Sequence, residues 1–71
     1  MSIEKQLSEI LIGSETMWCP ETFGVSLEAF QAIIVTMKRL ESEGVIRIEK
    51  VKMESHTGYK YVDIITFRRL K

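Results

Sequence analysis

Side chains able to serve as nucleophile, general base or metal ligand are sparse in this chain: one cysteine, one histidine and one aspartate, Cys19, His56 and Asp63. A thiolate nucleophile needs a base in hydrogen-bond contact and a site that excludes water. His56 falls where the pattern predicts a hairpin tip, remote from the loop that holds Cys19. A domain of this size also leaves little room for an enclosed pocket. Zinc takes three or four Cys, His or carboxylate ligands at set spacings, and the sequence has no such cluster. The four glycines are isolated, so no phosphate-cradling loop is formed either. Catalysis, a bound metal and a small-molecule cofactor are not expected. A solvated turn histidine and a semi-buried cysteine are the simpler reading.

Charge offers more than nucleophilicity. The formal net charge is zero, yet residues 1–43 carry three basic against seven acidic side chains, and residues 44–71 seven against three. The two parts therefore stand at −4 and +4. Phosphate attraction depends on the local patch rather than the total. Arg47, Lys50, Lys52 and Lys60 fall in the basic part, on a predicted hairpin, where they could flank a phosphate backbone. Lysines also serve edge strands simply by blocking aggregation, and the two readings carry equal weight. The opposed halves would also suit head-to-tail contact between copies.

The elements that position these charges follow from periodicity and punctuation. Ser2 to Ile12 reads as a helix, with Ser2 as N-cap and Ile3, Leu7, Ile10 and Leu11 at helical spacing. Gly13 and Ser14 end it, and Thr16-Met17-Trp18 suits a short strand. Pro20 fits the first position of a one-turn helix reaching Phe23, with Glu21 beside its positive end. Leu27 to Glu43 is the strongest helix: Leu27, Phe30, Ile33, Ile34, Met37 and Leu40 form one apolar arc. Ser26 can cap it and Gly44 end it. A hairpin then runs from Val45 to Glu54, turns over residues 55–58, and returns from Tyr59 to about Arg68. Its first strand changes phase between Ile48 and Val51, which one extra residue near Glu49-Lys50 would reconcile. Asp63 breaks the alternation of the return strand, and Tyr59 and Tyr61 read as cross-strand packing residues.

The run Phe23-Gly24-Val25-Ser26, followed by Lys38-Arg39-Leu40-Glu41-Ser42-Glu43-Gly44-Val45-Ile46, resembles the winged helix-turn-helix domain. In that family "GVS" opens the recognition helix and "RLE-x-EG" leads out of it toward the wing. The resemblance covers roughly Pro20 to Phe67. It implies an α+β winged-helix fold over residues 1–71 as a single domain, with three helices, the second very short, a C-terminal hairpin wing and a short third strand. The chain departs from the family in its one-turn second helix and in a third helix about a turn longer than usual. The function implied is a bacterial or phage-type DNA-binding transcriptional regulator, with the third helix toward the major groove and the wing on phosphates.

On that reading the outward residues of the third helix are Glu28, Gln31, Ala32, Val35, Lys38 and Arg39. Gln31 could pair with adenine and Arg39 with guanine or phosphate. Glu28 would repel phosphate, and no base precedes Lys38 in this helix, so the wing should supply most of the affinity. Double-stranded DNA and a second copy of the chain are the expected partners, the latter because a single module makes a small interface. The rival from another class is a protein-contact module. It would use Ala32, Val35 and Thr36 together with Leu11, Ile12 and Trp18, although Trp18 reads more readily as a core residue. No apolar run approaches the roughly 18 residues of a membrane span. One cysteine excludes an internal disulfide, and a cytoplasmic setting is expected.

Overall fold

Ser26 fixes the start of the longest element. In the computed structural model, which describes residues 3–55 and 58–71, its side-chain oxygen accepts a hydrogen bond from the Ala29 N–H at 3.1 Å. That satisfies one of the donors a helix leaves unpaired at its start. The chain order is α1 (Ile3–Ser8), β1 (Glu15–Trp18), α2 (Pro20–Phe23), α3 (Leu27–Ser42), β2 (Ile46–Met53) and β3 (Val62–Arg69). At the other end of α3, Gly44 adopts φ 76°, which an L side chain resists, and its N–H bonds to the Glu41 carbonyl. Ser26→Ala should cost about 1 kcal/mol. The melting temperature, followed by circular dichroism, should fall by roughly 4–8 °C as a result.

The three strands form one antiparallel sheet in the order β1-β3-β2. One face of it packs against α3. Phe30, Ile34, Met37 and Leu40 from α3 meet Ile46, Val62, Ile65 and Phe67 from the sheet, all buried. Leu7 of α1 and Phe23 of α2 close the same cluster. Trp18, 3% exposed, stands edge-on to Phe23 at 5.0 Å and to Phe67 at 4.7 Å. It belongs to the core rather than to a partner surface with Leu11 and Ile12. Ile10 and Ile33 are half-buried against the cluster.

Two element boundaries differ from the sequence expectation. α1 ends at Ser8, not near Ile12. Its last turn tightens, with Ile10 N–H bonding to Leu7 O, and Arg69 Nη1 donates to the carbonyls of Leu7 and Ile10. Leu11 and Ile12 lie past the helix and are exposed. The proposed Ser2 cap lies outside the described residues. The return strand begins at Val62, not Tyr59, because Glu54 holds Tyr61 in the connection. Glu54 N–H bonds to Tyr61 O at 2.8 Å, and its carboxylate accepts from Tyr61 N–H at 3.4 Å. Tyr59 and Tyr61 therefore stack on each other along one chain, 5.5 Å apart, instead of packing across strands. The predicted turn at His56 and Thr57 lies outside the described residues.

The phase change in β2 has the expected cause. Ile48 pairs with Phe67 and Lys50 with Thr66, so Glu49 is the extra residue. A second irregularity leaves Asp63 unpaired between Ile64 and Val62, which explains its break in the alternation. Among the described residues no helix is long and apolar enough to cross a membrane.

Candidate nucleic-acid interface

Strand alternation distributes the basic residues. Ile46, Ile65 and Phe67 point into the core, so their alternating neighbours lie on the sheet face turned away from α3. Pairing then sets three rows across that face. Glu15, Arg68 and Arg47 form the first, Met17, Thr66 and Lys50 the second, and Ile64 and Lys52 the third. Arg47, Lys50 and Lys52 are all exposed. Three of the predicted phosphate-binding residues thus share one face of one strand. Lys60, also exposed, sits in the connection with a left-handed φ of 58°.

Arg68 occupies the middle of the first row and ties three segments together. Its Nη1 donates to Gly13 O at 2.6 Å, while Nη2 lies 3.8 Å from Glu15 and Nε 3.5 Å from Glu49. The bulge brings Glu49 to this spot. Glu15 and Glu49 meet in a carboxyl–carboxylate hydrogen bond that raises the pKa of Glu15, with the charge of Glu49 acting in the same sense. The same bond lowers Glu49, helped by Arg68. This cluster neutralises Arg68, leaving Arg47, Lys50 and Lys52 as the cationic edge.

α3 presents a different picture. Gln31, expected to face outward and read a base, is turned to the sheet. Its Nε2 donates to Val62 O at 2.8 Å and to Leu27 O at 2.9 Å, and its Oε1 accepts from Val62 N–H at 3.0 Å. Both amide functions are spent on backbone, which removes Gln31 from the base-reading set. Arg39 is exposed on the side away from the core but lies 3.9 Å from Glu43, one turn on. Glu28, Ala32 and Val35 accompany it on the exposed side, and Lys38 is exposed beside them. Arg39 and the β2 cations therefore stand on opposite sides of the domain, with α3, the core and the sheet between them.

Two clefts flank the sheet. A shallow one of about 130 Å³ lies between Lys50 and Lys52, floored by Met17, Ile64 and Thr66. A larger one of about 420 Å³ lies past the end of β1, where Ile64 also forms the wall. Its other polar lining is acidic: Glu21, Glu54 and Asp63, beside Cys19. Hydrogen bonds from the Cys19 thiol and its own backbone N–H hold the Glu21 carboxyl below its ordinary range. Sequence reasoning placed none of these carboxylates together, because Glu54 and Asp63 are joined only by the hairpin and Glu21 arrives from α2. No protein family, curated protein or solved structure matches the chain.

Proposed function

We propose that this chain is a winged-helix DNA-binding regulator whose hold on the duplex comes from the hairpin rather than from α3. The observation that carries the reading is the set Arg47, Lys50 and Lys52, exposed on one face of the edge strand β2. The order of elements, with a capped α3 running through Gly44 into a hairpin, is the support for the winged-helix assignment. α3 offers little for base recognition: Gln31 is committed to Val62, Glu28 opposes phosphate, and the exposed Arg39 has Glu43 beside it. Affinity is then mainly electrostatic and tolerant of sequence, with Lys60 engaging a further phosphate.

Fluorescence anisotropy on random and varied duplexes across a salt series tests this. Neutralising Lys50, Lys52 and Lys60 to glutamine should weaken binding to all sequences alike. The slope of log affinity against log salt should fall by roughly 0.9 for each phosphate that the variant no longer neutralises. Absence of salt-sensitive duplex binding by the unmodified protein at low ionic strength would remove the proposal. The protein-contact reading would then lead, favoured by Val35, which is 68% exposed on α3.

A further inference from the structure

Tyr59, 73% exposed, is the one aromatic ring among the described residues that stands mostly in solvent. It stacks on Tyr61, with centroids 5.5 Å apart and planes 27° from parallel. Two restraints hold the pair. Glu54, only 6% exposed, accepts from Tyr61 N–H through its carboxylate and gives its own N–H to Tyr61 O. The backbone under the second ring is thereby fixed. Lys60, between the two tyrosines, keeps a left-handed φ of 58°. That conformation is uncommon for a residue with a side chain and persists only where the surroundings impose it. An offset pair of rings is favourable in itself, yet it leaves most of Tyr59 to water.

The pair continues the line of the cationic strand. Tyr61 sits across from Glu54, two residues beyond Lys52 on the continuation of β2. From Arg47 to Lys52 the bulged strand extends roughly 15 Å, at about 3.3 Å per residue. One strand of a duplex advances about 3.4 Å per nucleotide, so that row matches roughly four or five phosphates. The tyrosines come about 7 Å further on, roughly two nucleotides past the last of them. The nearby carboxylates, Glu54 and Asp63, line the larger cleft with Glu21.

We propose that the Tyr59–Tyr61 stack takes an unpaired nucleobase, next to a duplex whose backbone lies along Arg47, Lys50 and Lys52. Every base has a π-face, and stacking on aromatic side chains holds unpaired bases without reading their sequence. A base within a duplex is already stacked on its neighbours, whereas one at a gap, a frayed end or an overhang is not. Charge selects nucleic acid over an apolar peptide: the exposed Lys60 separates the two tyrosines in the chain, and the exposed Lys52 precedes them on the strand. Both suit the phosphates that flank a stacked base. The inference rests on the reading of β2 as a phosphate-holding strand, and it makes the target a junction of paired and unpaired nucleic acid.

Fluorescence anisotropy on one duplex in three forms tests it: blunt, with a short thymidine overhang at its 3′ or 5′ end, and with the same overhang lacking its bases. The two overhangs carry equal phosphate, so their difference isolates the bases. The thymidine overhang should bind about 5- to 150-fold tighter than the abasic one, the range for one stacked base. That ratio should persist as salt rises, while affinity for all three forms falls. Tyr59→Ala should abolish the ratio and leave blunt-duplex affinity and its salt slope unchanged, and Tyr59→Phe should keep it. Tyr59 is exposed, so folding should persist, as circular dichroism will check, and the abasic comparison needs no variant at all. Deoxyribose and ribose overhangs distinguish DNA from RNA as the source of the base. Equal binding of thymidine and abasic overhangs overturns the proposal, as does a ratio that survives Tyr59→Ala. Salt-sensitive binding of the blunt duplex without an overhang effect would remove this proposal alone and leave the role of β2 standing. No binding to any form would remove both.

Discussion

Replacing Phe67 with alanine is expected to cost about 3–5 kcal/mol, as for other fully buried aromatic residues. Phe67 is 0% exposed on the middle strand, and its pairing partners are Thr16 on one side and Ile48 on the other. Its ring meets that of Trp18 at 4.7 Å, which joins the sheet to the α2 region through Phe23. Removing it opens a cavity bordered by all three strands at once. A core this small rarely supplies more than about 3–5 kcal/mol in total, so most molecules should be unfolded at body temperature. Urea unfolding followed by circular dichroism measures the destabilisation directly. Phe67→Leu offers a milder case that remains foldable. It keeps apolar volume but removes the edge-on packing with Trp18, for about 1 kcal/mol. A change below about half a kcal/mol for the alanine variant would contradict the place given to Phe67.

Much of this core was legible because local signals agreed. Ser26 and Gly44 bracket α3, and the 3.6-residue spacing from Phe30 to Leu40 named its buried face. The phase slip between Ile48 and Val51 called for one extra residue near Glu49-Lys50, and the register assigns it to Glu49. What escaped were features made by groups distant in sequence. α1 stops at Ser8 because Arg69, near the other end of the chain, captures the carbonyls of Leu7 and Ile10. The hairpin connection is longer than the turn residues suggested because the carboxylate of Glu54 reaches Tyr61. In each case one polar side chain satisfies backbone groups that periodicity alone assigns to a regular element. The basic residues of β2 were readable as a set. Their common face, turned away from α3, came only from the register of a bulged strand.

Gln31 separates a structural role from a recognition role with one substitution. An exposed glutamine that reads a base can be replaced with little effect on folding, usually within about half a kcal/mol. Its removal would instead shift preference among duplexes by about 1–3 kcal/mol per base pair. Here the amide acts as a short piece of neighbouring strand: Oε1 takes the Val62 N–H and Nε2 gives to the Val62 carbonyl. Both groups belong to the first residue of β3, itself 8% exposed. Gln31→Ala leaves them without that partner, at a cost of about 1–3 kcal/mol. The start of β3 should then exchange its amide protons faster than the rest of the sheet. Gln31→Glu refines the test. A carboxylate can still accept from Val62 N–H, but it faces the Val62 carbonyl with no proton to donate. Its pKa should rise on folding, so the stability carried by the protonated form is complete below the unfolded value near 4 and fades as pH climbs past it. The unmodified chain lacks that response at this position. Unchanged stability in Gln31→Ala, with altered duplex preference, would return Gln31 to the base-reading face of α3.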